Sequence, residues 1–260
     1  MRSPRSGLLD SRTFNIFFIG VKVNDNYINN IVKEYPEMYK LTMFKFPKAR
    51  FLSISSKKQK RNQCNELDIM RSVRRSRTVI SDYILSNDFE MFVTFTFNPK
   101  KVNRYDLNAC YLKMQSWLWR QQKKSNNDMK YIIVPEKHKD GAIHFHAVMS
   151  NYPGLIKKTN VIQNNRRVYN LTSFRFGFSN MQYLDDDKQK VAAYVCKYIT
   201  KDMITVSNRR RYWASKNLQK PAKYYNEADA LFLNPDLKSL TFENHYLQMH
   251  EFEKLEKLFA

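Results

Sequence analysis

Hydrophobic and polar positions fall into a readable pattern from about Asp68 onward. Ile69, Val73, Val79, Ile80, Tyr83, Ile84 and Leu85 recur at roughly helical spacing, predicting one helix, or two, up to Asn87 with an arginine-rich outer face (Arg71, Arg74, Arg75, Arg77). Met91-Phe-Val-Thr-Phe-Thr-Phe97 is β-branched and aromatic on both faces, which predicts a central strand ended by Asn98-Pro99. Thr94 and Thr96 share one face of it, a polar pair suited to a nearby phosphate. Asp106 has the chemistry of an N-cap for a helix over Leu107 to Lys124, whose buried stripe is Leu107, Cys110, Tyr111, Met114, Trp117 and Leu118. Its basic tail, Arg120 to Lys124, suits a helix C-terminus.

A strand over Met129 to His138 is then followed by Lys139-Asp140-Gly141 and a second strand, Ala142 to Met149, predicting a hairpin. Phe174 to Tyr183, after a loop with Asn164 to Arg167, reads as an aromatic strand. Asp185-Asp186-Asp187 suits the positive end of a helix over Lys188 to about Met203. Arg209 to Lys216 reads as a short basic strand, ended before Pro221. Leu237 to Phe242 and a C-terminal helix from about Glu243 complete the packing elements. The first 70 residues are less patterned. Phe14 to Val21 fits a strand, Asp25 to Tyr39 a short helix stopping at Pro36, and Lys57 to Arg61 a basic run that is either a solvated loop or a phosphate-contacting patch.

The hairpin carries the first chemical signal. His144 and His146 are two apart in a strand, so their imidazoles share a face while Ile143, Phe145 and Ala147 face a core. The turn decides what stands opposite them. A three-residue loop with Gly141 in the left-handed region pairs His138 with Ala142 and Glu136 with His144. A two-residue Asp140-Gly141 loop would put Lys137 opposite His144 and send Glu136 to the other face. The first register gathers Glu136, His138, His144 and His146 on one face and is the one expected. Two imidazoles and a carboxylate with open positions suit a divalent cation that also meets substrate, with His138 as an alternate ligand. The donors do not separate Mg²⁺, Mn²⁺ and Zn²⁺, although Mn²⁺ or Mg²⁺ fits phosphate chemistry better than a closed zinc site.

The second signal is Tyr194-x-x-Lys197-Tyr198-x-x-Lys201, which places two phenols one helical turn apart with two ammonium groups beside them. Such phenols either pack or attack an electrophile; an adjacent lysine would steady charge on a phosphate or phenolate.

Composition names a substrate class. The chain has 260 residues, 45 Lys+Arg against 24 Asp+Glu, and 37 aromatic side chains as 16 Tyr, 18 Phe and 3 Trp. A net charge of +21 with abundant aromatics suits a polyanion whose bases can stack, single-stranded nucleic acid in particular. Arg175, Arg209, Arg210, Arg211 and Lys216 are candidate DNA contacts. Three dispersed cysteines form neither a disulfide framework nor a zinc knuckle, so a reducing interior is expected, the cytoplasm of a bacterial host. No Gly-x-x-x-x-Gly-Lys or Gly-x-Gly-x-x-Gly occurs, which argues against a nucleotide-hydrolysing motor in this sequence. No spanning segment or membrane partner is expected either.

The order of these parts, from the Phe-Val-Thr-Phe-Thr-Phe strand through Glu136, His144-Phe145-His146 and Phe176-Gly177-Phe178-Ser179 to the doubled tyrosine, resembles the HUH endonucleases. The similarity is to rolling-circle replication initiators of plasmids and single-stranded DNA phages, and it covers about Ser72 to Pro221. It implies an α+β fold, a central antiparallel sheet flanked by helices with a ferredoxin-like or RRM-like core. The implied organisation is a basic extension over 1–70 that binds the origin, a nicking and joining domain over 71–242, and a C-terminal helix over 243–260. The implied activity is nicking and rejoining of single-stranded DNA at a replication origin through a 5′-phosphotyrosine. Its metal ligands would be His144, His146 and Glu136, its nucleophile Tyr198 or Tyr194, and its partners a host helicase and polymerase. Lys197-Tyr198-Ile199-Thr200-Lys201-Asp202 is similar to the single-tyrosine plasmid form, whereas the doubled tyrosine is similar to the phage form. A non-catalytic nucleic-acid-binding protein, an HUH transposase and a metal-dependent ribonuclease are the competing readings.

Overall fold

The computed structural model describes residues 27–49, 66–200, 203, 210–229, 231, 233, 235–236 and 238–254. The strand expected at Phe14 to Val21 and the basic run Lys57 to Arg61 lie outside the described residues.

The architecture is α+β, with two antiparallel sheets and three helices among the described residues. The chain enters through β1 (Tyr27–Glu34) and β2 (Met38–Ala49), continues into α1 (Glu66–Ser86) and β3 (Met91–Phe97), and then α2 (Leu107–Lys124). Next come the hairpin β4 (Lys130–Lys137) and β5 (Ile143–Ser150), a second hairpin β6 (Ile156–Gln163) and β7 (Arg166–Leu171), then β8 (Gly177–Tyr183) and α3 (Lys188–Lys197). Four short strands complete it: β9 (Trp213–Ala214), β10 (Ala222–Tyr225), β11 (Leu240–Glu243) and β12 (Leu247–Glu253).

The larger sheet has the order β6-β7-β8-β3-β5-β4-β9, so the strand predicted as central lies between β8 and β5. Alternation along its strands feeds two cores. Val93, Phe95 and Phe97 join Phe145, Ala147 and Ile133 on one face, where Leu107, Cys110, Met114 and Trp117 of α2 cover them. Ile132, Val134 and Val148 on the other face pack with Val73, Ile80 and Ile84 of α1 and Ala192 and Val195 of α3. α2 begins where Asp106 accepts from the Asn108 and Ala109 amides, at 2.8 and 3.2 Å. Gly177 is required where β8 meets β3: a Cβ there would overlap the Thr96 carbonyl oxygen.

The smaller sheet has the order β10-β1-β2-β12-β11, drawing its strands from both ends of the described chain. It is tied to the helices of the larger sheet through Asp82 of α1. That carboxylate accepts from Lys33 Nζ at 2.8 Å and from the Tyr35 hydroxyl at 2.7 Å. Lys188 Nζ, at the start of α3, reaches Glu37 at 2.7 Å.

Five expectations are corrected. Asp25 to Tyr39 is no helix: Pro36 sits in the turn of a β1-β2 hairpin, closed by Tyr35 N donating to the Met38 carbonyl at 2.9 Å, and Ile28, Ile31 and Val32 favour the strand. Leu247 to Glu253 is a strand as well, because β2 offers it a full-length edge to pair with. The loop at Asn164 to Arg167 is a hairpin turn running into β7; Asn164 and Asn165 both adopt positive φ, at 52° and 59°, as a type I′ turn needs. α3 stops at Lys197, with Tyr198 as its cap, well short of Met203. Of the basic strand, only Trp213 and Ala214 pair, with Ile133 and Ile132 of β4.

Candidate active site

The loop after β4 sets the geometry. Gly141 has φ 87°, its N–H donates to the His138 carbonyl at 2.8 Å, and the His138 N–H donates to the Ala142 carbonyl at 2.8 Å. This is the three-residue loop, and it pairs Glu136 with His144 and Val134 with His146. On the other side of β5, Thr96 pairs with His144 and Thr94 with His146. Both imidazoles, the carboxylate and both threonine side chains therefore occupy one face of the sheet, the face covered by α1 and α3.

His146 is the fixed member. It is 6% exposed, and its two ring nitrogens are both engaged. Nδ1 lies 3.1 Å from Thr94 Oγ1, and Nε2 lies 2.5 Å from Glu136 Oε2. One proton must lie between Nε2 and Oε2. His144 is half-buried, its ring stacked on that of His138 with centroids 5.1 Å apart. His138 is exposed and bonds Asp140 at 3.2 Å, standing beside His144 as the alternate ligand position. Burial holds the imidazole of His146 below its ordinary pKa, offset in part by the hydrogen bond to Glu136. Burial also lowers that of His144, with His138 as the next cause. Both rings are therefore neutral at neutral pH, the form that offers a lone pair.

Among the described residues, no three His, Cys, Asp or Glu side chains already surround one cation position. Glu136 closes on His146 Nε2 instead. The donor set nevertheless fits a divalent cation, because such an ion can take the place of the shared proton, and the Thr94 contact on Nδ1 orients the ring for it.

The tyrosines arrive from α3. Asp187 caps the helix by accepting from the Lys190 amide at 2.9 Å, and Tyr198 ends it at φ −76° and ψ −12°. The Tyr198 ring lies flat on His146, with centroids 3.8 Å apart and planes 15° apart. Its hydroxyl donates to the Tyr194 hydroxyl at 2.9 Å, and Tyr194 is 47% exposed. Phe92, on the same face of β3, meets the Tyr194 ring edge-on at 5.0 Å. Burial raises the pKa of the Tyr198 phenol well above the usual range, with further contributions from its bond to Tyr194 and the charge of Glu136.

Two residues that sequence reasoning did not assign to the site hold this helix end. Arg77 Nε of α1 donates to the Ile199 carbonyl at 2.9 Å, and Arg211 Nη1 approaches the Thr200 carbonyl at 3.4 Å. Positive groups at a helix C-terminus satisfy its orphan carbonyls and complement its dipole. Arg211, expected as a DNA contact, also bonds Ser72 at 3.3 Å and is directed into the fold. No local signal marks Arg77 for this task, since its partner is 122 residues away.

Of the remaining candidates, Lys197 is exposed in the last turn of α3. Arg175, Arg210 and Lys216 are exposed and stand apart from the histidines, with Lys216 beyond β9. Lys201 and Arg209 lie outside the described residues. No helix of the described residues is long and apolar enough to cross a membrane.

Residues 90–203 match the model of a replication-associated protein family, the one that includes the ORF2 replication-associated protein. The match covers less than half of the chain but spans β3, the Glu136/His144/His146 cluster and both tyrosines. No curated protein and no solved structure matches the chain.

Proposed function

We propose that the chain nicks and rejoins single-stranded DNA at a replication origin, initiating and terminating rolling-circle replication through a 5′-phosphotyrosine. The observation that carries this reading is the stacking of Tyr198 on His146, which puts a phenol directly over the Glu136/His144/His146 cluster. The replication-associated family match supports the same biology.

In this reading His144, His146 and Glu136 hold a divalent cation, Mn²⁺ or Mg²⁺. When bound, that ion supplies positive charge to polarise a scissile phosphodiester. The Tyr198 oxygen forms a bond to phosphorus, and the bond from phosphorus to the 3′ oxygen breaks. The phenolic proton leaves along the hydrogen bond to Tyr194, whose exposure connects it to water. The 3′ oxygen takes up a proton and is free to prime a host polymerase. Reversal by a returning 3′-hydroxyl, or attack by Tyr194, releases the enzyme and rejoins the strand. Lys197 and Lys201 steady charge on the phosphate; Arg175, Arg209, Arg210, Lys216 and the basic residues of 1–70 contribute origin contacts. A host helicase opens the duplex.

The test is incubation of the protein with a labelled origin strand and Mn²⁺, followed by denaturing electrophoresis. The expected result is a covalent adduct abolished by EDTA and by the Tyr194→Phe/Tyr198→Phe double variant. An adduct that survives in that double variant, or none with any origin strand, overturns the mechanism.

A further inference from the structure

On the face of the sheet opposite the histidines, a cleft of about 570 Å³ opens between α2 and the β4-β9 edge. Its walls carry Tyr111, Trp119, Tyr131 and Trp213, with Lys216 and Gln115 at the same surface. A smaller hollow of about 330 Å³ continues from it, sharing Tyr111 and Trp213 and adding Arg210 and Tyr212. Tyr111 and Trp213 meet edge to face at 4.6 Å, and Trp213 packs on Phe145 at 5.0 Å, so the shared wall is anchored in the α2-side core. Tyr212 belongs to the core on the other face. The two hollows therefore trace a continuous path round the β9 edge, and the next residue, Arg211, approaches the carbonyl of Thr200, just beyond Tyr198.

Charge separates this path from the other hollows of the described residues. One is lined by Glu37, Asp88, Glu90, Asp185 and Asp186, another by Glu37, Asp186, Asp187, Glu251 and Glu253. The aromatic path contains no acidic side chain among the described residues, and its charged groups there are Lys216 and Arg210. Lys123 adds a third cation, 4.3 Å above the Trp119 ring. Trp119 is 59% exposed, a large aromatic side chain left in solvent on a helix whose other tryptophan at Trp117 is fully buried. An acid-free channel with aromatic walls and cations at intervals repels nothing in a phosphate backbone and offers ring faces to its bases.

We propose that this cleft is a second binding site for single-stranded DNA, holding stacked bases of the strand that flanks the scissile position, on the opposite face from the chemistry. It rests on the reading of the chain as a single-strand nickase. It deepens that reading by giving the strand a path round the β9 edge to Tyr198. The enzyme would grip its substrate at two places, so a strand cut at one could remain held at the other.

The experiment uses the full chain and oligothymidine, which need not be nicked, in fluorescence-anisotropy titrations with EDTA present. Trp119→Ala should weaken binding roughly tenfold, the loss expected for one base–aromatic stack. Lys216→Glu, at an exposed position, should weaken binding and reduce its salt dependence. Photo-crosslinking of a 5-iodouracil-substituted strand should label peptides carrying Trp119 or Trp213. Unchanged affinity in both variants, or crosslinks confined to the His144 to Met149 strand and α3, would overturn the proposal. The two readings fail separately: a protein that labels at Trp119 yet never forms a tyrosyl adduct keeps the cleft and loses the nickase. One that forms the adduct with no label or affinity loss at the cleft does the reverse.

Discussion

Arg77→Ala tests whether the nucleophile's helix end is held from outside. The side chain donates from Nε to the Ile199 carbonyl at 2.9 Å, beside a residue that is fully buried. Without it, that carbonyl loses its partner at a helix terminus with only weak closing bonds of its own. Tyr198 N reaches the Val195 carbonyl at 3.2 Å and Ile199 N the Cys196 carbonyl at 3.1 Å. A hydrogen bond from a charged donor contributes about 1.5–3 kcal/mol when buried, and the partial exposure here reduces the expected loss to about 1 kcal/mol. That corresponds to a fall in Tm of about 2–4 °C for a chain of this size. It also corresponds to roughly fivefold faster local opening of the turn, because each 1.4 kcal/mol is about a factor of ten.

The functional consequence should exceed the stability loss. Tyr198 is located by its stack on His146, and a displacement of about 1 Å at a reacting atom can cost on the order of a hundredfold in rate. Arg77→Ala is therefore expected to slow adduct formation by roughly ten- to a hundredfold, with Arg77→Lys recovering part of it. Hydrogen exchange at the Tyr198 and Ile199 amides reports the opening directly, alongside thermal unfolding and the adduct assay. If Tm falls while exchange at those two amides and the nicking rate stay at wild-type values, the argument that Arg77 positions the nucleophile is refuted.

Three further outcomes are expected. Thr94→Val removes the partner of His146 Nδ1, 3.1 Å away, and should weaken Mn²⁺ binding by roughly ten- to a hundredfold in calorimetric titration. Burial depresses the pKa of both His144 and His146, so the unfolded chain binds those protons first; stability should be full above about pH 6.5 and fall below it. Metal-free urea titrations from about pH 7.5 to about pH 5, the histidine range, measure this, and a His144→Gln/His146→Gln variant should flatten the slope. Gly177→Ala drives a methyl into backbone rather than a movable side chain, so it should cost more than about 3 kcal/mol in denaturant unfolding; a near-neutral result would place β8 farther from β3 than described.

What the sequence reveals here follows the range of the interactions involved. The β4-β5 register was legible because three consecutive residues, Lys139, Asp140 and Gly141, specify it, and the φ of 87° at Gly141 is the position only glycine takes readily. The Asp106 cap and the buried stripe of α2 were legible for the same reason. β1 and β12 were not, since short apolar runs fit either period until a partner is known, and their partner is β2. The β6-β7 turn carried a signal, two successive asparagines able to adopt positive φ, but the glycine that usually marks such a turn is absent. Arg77 and Arg211 read as outward-facing charges, and their pairing with the end of α3 depends on how α1 and α3 pack.

The two histidines differ in what surrounds them, and that difference gives the cluster its direction. His146 lies one rung deeper in the sheet, locked between Thr94, Glu136 and the ring of Tyr198. His144 lies nearer the hairpin end, where its neighbour is the exposed ring of His138. One donor is thus held in a fixed orientation and its neighbour meets solvent, as expected of a site that fixes a cation on one side and admits substrate on the other. The proton shared by Glu136 and His146 keeps the carboxylate on this face until a cation displaces it. Binding should therefore release a proton, and the apparent affinity should rise with pH even where both imidazoles are already neutral. Tyr198 is tied to the same event: the charge of Glu136 is among the causes that hold its phenol protonated, so neutralising that carboxylate removes one obstacle to the phenolate.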